Sequence, residues 1–145
     1  MNVNVFKGKS ICITGATGGL GRELAKKYAA LSCDLVLIGR NARKLDQLAL
    51  ELQKNDIRIV SYKVDLSKQE AVIALSEQIL EAFGDIDILI NAAGVFPVKS
   101  LHDTSIYEYQ DIMSINVTAP LIFAKSFLPG MISKQWGRIV NVGSS

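Results

Sequence analysis

Five short apolar runs, each parted from the next by a stretch of helical periodicity, constrain this chain most. Ser10 to Thr14, Asp34 to Ile38, Arg58 to Val64, Ile86 to Ile90 and Arg138 to Val142 read as strands. They are nearly continuous in apolar or β-branched residues, the pattern of strands covered on both faces. Between them, Leu20, Leu24, Tyr28 and Leu31 share one helical face, and Leu45, Leu48, Ala49 and Leu52 share another. Ser67-Lys68-Gln69-Glu70 has the form of a capping box, with Val72, Leu75, Ile79 and Phe83 as the stripe behind it. Two further helices are predicted, from about Ser105 to Ile115 and from about Thr118 to Lys134. Strands and helices that alternate in this way, joined by right-handed crossovers, build a doubly wound parallel α/β sheet. No linker, repeat or low-complexity tract interrupts the pattern, so one domain over residues 1–145 is expected.

Composition narrows the partners. With 49% hydrophobic and 21% charged residues the chain is globular, and a net charge of +2 gives no electrostatic footprint for nucleic acid. No stretch of about 18 uncharged apolar residues occurs, so no membrane span is expected. Met1 to Ser10 lacks the apolar run of a signal peptide, and Cys12 and Cys33 have no metal or redox spacing. A cytoplasmic protein with two buried free thiols and no metal site is the expectation. His102 reads as a loop surface residue, and Asp85 and Asp87 as solvated residues at a strand start.

Thr14-Gly15-Ala16-Thr17-Gly18-Gly19-Leu20-Gly21 lies where the first strand gives way to the first helix. A glycine-rich loop there presents free backbone N–H groups at the positive end of a helix, a site for phosphate. Gly15 would allow the sharp turn, Gly19 the approach of a pyrophosphate, and Gly21 close packing of helix on strand. The spacing differs from G-x-G-x-x-G, and Arg22 and Glu23 after Gly21 exclude the GxxxxGK[ST] phosphate loop.

Thr14-Gly15-x-x-x-Gly19-x-Gly21 resembles the cofactor motif of the short-chain dehydrogenase/reductase family. Four more segments fit in order: Asp65-Leu66, Asn91-Ala92-Ala93-Gly94, Asn116, and the run from Gly137 to Ser145. The resemblance implies a Rossmann-type sheet in the order 3-2-1-4-5, without the family's C-terminal strands. It implies hydride transfer between a nicotinamide cofactor and a small carbonyl or alcohol substrate, for which a 3-oxoacyl thioester is the commonest guess. It implies homo-oligomers. By the same resemblance Ser144, rather than Ser145, polarises the carbonyl, and Asn116 supports a water relay or else bends its helix. Asp65 accepts from the adenine amino group or else starts the helix at Ser67, with Leu66 lining the ring. Asn91 to Gly94 pass under the adenosine. Ala92 replaces the family's second asparagine.

The tip of the second strand selects the dinucleotide. An NAD enzyme places Asp or Glu there to hold the ribose hydroxyls. Here Ile38-Gly39-Arg40-Asn41 is followed by Arg43 and Lys44, and no carboxylate appears before Asp46. Arg40 can grip a 2′-phosphate with its forked guanidinium, so NADP(H) is expected over NAD(H). The family's Tyr-x-x-x-Lys is absent: Ser32, Leu66, Asp111 and Met113 stand four residues after the four tyrosines. The 145-residue chain alone is therefore expected to lack turnover. It would be the cofactor-binding part of a reductase, a non-catalytic dinucleotide module, or a chain that pairs its open fifth strand with a partner.

Overall fold

The computed structural model describes residues 5–53 and 56–143. Its elements follow one another as β1 (Ser10–Thr14), α1 (Gly19–Ala30), β2 (Asp34–Gly39), α2 (Ala42–Leu52), β3 (Ile59–Lys63), α3 (Gln69–Ala82), β4 (Ile88–Asn91), α4 (Ile106–Met113), a π-helical turn (Ser114–Thr118), α5 (Ala119–Ser133) and β5 (Arg138–Asn141). The strands form one parallel sheet in the order β3-β2-β1-β4-β5. This is the α/β architecture that the alternating pattern predicts.

Two cores cover the two faces of the sheet. Alternation along β2 sends Val36 and Ile38 to one face and Leu35 and Leu37 to the other. The first face packs against Val72 and Ile79 of α3 and Phe123 and Phe127 of α5. The second packs against Ala25 and Ala29 of α1 and Leu45 and Leu48 of α2. α1 and α2 are amphipathic because only one stripe of each meets the sheet. β5 is different: all four of its residues are exposed. Among the described residues it pairs with β4 alone and forms an apolar edge.

The run from Ile106 to Ser133 is the one helix among the described residues long and apolar enough to cross a membrane, by length and composition. Packing against the sheet accounts for one of its faces only. Ala119, Phe123, Phe127 and Met131 are buried in the core, while Val117, Leu121, Leu128 and Ile132 stay exposed.

Two local expectations fail. Ser67 does not cap α3. Its N–H and hydroxyl both bind Asp65 Oδ1, at 3.0 and 2.8 Å, and Lys68 becomes the N-cap without a side-chain bond. The turn made by Asp65 outcompetes the helix for the serine. The full capping box lies instead at Ser105 and Glu108 of α4.

Asp87 is not solvated but 5% exposed. It accepts from Ser10 N at 3.0 Å, from Ser10 Oγ at 3.1 Å and from Lys134 Nζ at 3.0 Å, which joins the starts of β1 and β4 to the end of α5. Burial pushes its pKa up, but the Ser10 N–H and the Lys134 ammonium outweigh that and hold it below the ordinary value. A depressed carboxylate stabilises the fold above its unfolded pKa, about 3.9, and that contribution fades as pH falls through the folded value. Asp87→Asn should therefore cost about 2 kcal/mol at pH 7 and clearly less near pH 3. Denaturant melts of both proteins at the two pH values check this; an equal gap at both would contradict it.

Candidate cofactor site

Strand order reverses around β1, which has β2 on one side and β4 on the other. In an open parallel sheet the crevice beyond the strand ends at such a point is where ligands bind. A cavity of about 940 Å³ occupies it here, a volume suited to a cofactor. Its walls come from the loops after β1, β2, β3 and β4.

These loops are tied together by contacts that few residues other than glycine allow. Gly15 has a φ of +66°, and a Cβ there would lie 2.8 Å from both N and Cα of Ala93. Ala93 N in turn donates to Thr14 Oγ1 at 3.2 Å. Ala16 N donates to the Ile38 carbonyl at 3.0 Å, which joins the same loop to β2. A Cβ on Gly21 would overlap the Gly15 carbonyl oxygen and come 2.8 Å from its carbon. Helix α1 can start this close to the turn only without that atom.

The start of α1 has donors to spare. Its N-cap, Gly18, supplies no side-chain acceptor, and no acidic residue stands in its first turn. By contrast Asn41 Oδ1 accepts from Lys44 N in α2 at 3.0 Å, and Ser105 Oγ accepts from Glu108 N in α4 at 3.1 Å. A Cβ at Gly19 would meet nothing within 4 Å, so the space over the first turn is open. Uncapped N–H groups, a positive helix end and open space are what a pyrophosphate needs. The residues present fit a dinucleotide.

Gly15, Thr17, Gly18, Arg40, Leu66, Ala92, Ala93 and Gly94 line the cavity. Thr14, Gly19, Leu20, Gly21, Asp65, Asn91 and Asn116 are outside its lining. Asp65 is exposed, and the Ser67 bonds hold its carboxylate below the usual range. Asn91 is buried in β4, where its Nδ2 donates to Asn141 Oδ1 of β5 at 2.9 Å. Its own Oδ1 is buried without a hydrogen-bond partner among the described residues. Asn116 sits in the π-helical turn and clamps the main chain of Val95: Oδ1 accepts from Val95 N at 2.9 Å and Nδ2 donates to Val95 O at 2.8 Å. A π turn there aims the amide across to the loop after β4. Ser144 and Ser145 lie outside the described residues.

Lys63, Val64, Val95 and Ile115 also line the cavity and were not singled out from the sequence. Lys63 could have been found from its place at the end of the third strand. The other three are ordinary apolar residues with no mark of a site.

Fold and site together define a Rossmann-type dinucleotide-binding protein. The family model described as short chain dehydrogenase matches residues 9–145, and the chain belongs to that family of oxidoreductases. It is 36% identical over 140 residues to the mouse (Mus musculus) dehydrogenase/reductase SDR family member 7B, covering 92% of this chain and 43% of that protein. A metagenomic short-chain oxidoreductase in complex with NADP superposes with a TM-score of 0.90 at 31% identity, over 97% of this chain and 63% of that one. An NAD⁺-bound xylitol dehydrogenase superposes at 0.85 with 30% identity, over 96% and 54%. The chain spans about half the length of the curated relatives it matches.

Proposed function

We propose that the chain binds NADP(H) in preference to NAD(H), and that it is the cofactor-binding portion of a reductase acting on a small carbonyl or alcohol. The observation that carries this is a single cavity lined both by Gly18, the N-cap of the uncapped α1, and by Arg40. The N–H groups of the first turn suit the pyrophosphate, and the Arg40 guanidinium suits a 2′-phosphate. The NADP held by the metagenomic oxidoreductase supports the choice. The NAD⁺ in the xylitol dehydrogenase shows that the shared fold alone does not decide it.

Bound NADPH would supply the hydride. Ser144 would polarise the carbonyl oxygen. Asn116 would act by holding Val95, and so the loop after β4, beside the site. A second reading is a dinucleotide module without turnover; within these 145 residues no tyrosine is followed by lysine four residues on. Loss of a general acid alone costs about 10²–10⁴-fold in rate. Purified 145-residue chain, mixed with NADPH and a panel of ketones, aldehydes and oxoacyl thioesters, should bind the cofactor and leave its absorbance unchanged. Sustained oxidation would overturn the module reading and make the chain itself a reductase.

A further inference from the structure

We propose that Lys63, on the strand beyond Arg40, is a second anchor for the 2′-phosphate and so a residue that sets dinucleotide preference. The inference rests on the NADP(H) reading above and adds a residue to it.

The placement follows from register. Lys63 is the last residue of β3 and pairs with Gly39, the last residue of β2. Registered partners in a sheet point to the same face. Ile59, two steps of alternation earlier on β3, packs with Leu45 and Leu48 of α2. Lys63 therefore projects on the α2 side of the sheet, where Arg40 and the first turn of α2 lie. Gly39 offers no side chain between them, and a Cβ there would already sit 3.4 Å from Leu45 Cδ2 and Thr17 Oγ1.

The charges point to an anion. Arg40, Arg43, Lys44 and Lys63 all line one end of the cavity. Among the described residues none of the four forms an ion pair or a side-chain hydrogen bond. Elsewhere Arg22, Lys26, Arg58, Lys99 and Lys134 each pair with a carboxylate, and the described cations without an ion pair, such as Lys27, Lys68 and Lys125, stand apart from one another along the sequence rather than around one cavity. Asp65 is the acid that Arg40 influences, and its Oδ1 is committed to Ser67. Four like charges gathered on one rim repel one another unless a multivalent anion meets them. The pyrophosphate is accounted for at α1, so the dianionic 2′-phosphate is the group left for this end. Lysine supplies a point charge with rotatable donors, whereas Arg40 supplies a planar fork, so the two can share one phosphate.

The test is titration of the 145-residue chain and its Lys63→Ala, Lys63→Arg and Arg40→Ala variants with NADPH and NADH. NADH binding serves as each variant's check of folding. Lys63→Ala should weaken NADPH about tenfold, the size of one charge-assisted contact, and change NADH less than twofold. Lys63→Arg should keep most of the NADPH affinity. An NADPH affinity unchanged in Lys63→Ala but lowered in Arg40→Ala would overturn the role of Lys63 and leave the NADP(H) reading standing. Equal losses for both nucleotides would make Lys63 structural and overturn it too. Wild-type chain without preference would overturn both.

Discussion

Gly19→Ala and Gly21→Ala, two positions apart in one helix turn, should fail in opposite ways. Gly21→Ala should unfold the chain readily. The added methyl overlaps the backbone carbonyl of Gly15, which the Gly18 N–H holds in the turn at 3.0 Å. Overpacking against backbone costs about 3 kcal/mol, which for a chain this long lowers the melting midpoint by roughly 10 °C. Gly19→Ala meets nothing within 4 Å. Alanine is also the better helix former, so stability should hold or rise by up to about 1 kcal/mol. Yet its methyl would stand in the open space over the first turn of α1, where the pyrophosphate must approach. Nucleotide affinity should fall by at least about tenfold, the equivalent of one lost charge-assisted contact. Thermal melts and nucleotide titrations on both variants decide it. A Gly19→Ala chain that folds and binds like wild type would move the phosphates away from this loop.

Arg40→Asp should exchange the dinucleotide preference. Removing a charged donor to phosphate costs about 1.5–3 kcal/mol, and a carboxylate in its place repels the 2′-phosphate outright. NADPH should weaken about a hundredfold. NADH should tighten modestly, because an acid at the tip of β2 can accept from the ribose hydroxyls. Arg40 is exposed at the end of its strand, so the fold should tolerate the change. Fluorescence titration with the two reduced nucleotides reads the outcome. A variant that keeps its NADPH affinity would remove Arg40 from the site.

The architecture was legible because periodicity reports it directly. Runs such as Leu35-Val36-Leu37-Ile38 can be satisfied only between two covered faces, and both cores are there. The glycine loop was legible because two of its glycines, Gly15 and Gly21, serve backbone approaches that any other residue would block. What the sequence hid depends on distant partners. Ser67 matched a capping box, but the choice between α3 and Asp65 is made by turn geometry. Asp87 reads as an ordinary surface acid until β1 and α5 bring Ser10 and Lys134 to it across 77 and 47 positions. The π-helical turn at Ser114–Thr118 has no composition that marks it. Lys63 becomes a candidate only once register sets it opposite Gly39.

Isothermal titration of the 145-residue chain with NADPH and with NADH, at one salt concentration, tests the central claim most directly. The expected result is one site per chain, with NADPH bound at least about tenfold more tightly, the equivalent of one charge-assisted contact to the extra phosphate. NADH bound equally well or better, or neither nucleotide bound, would contradict it.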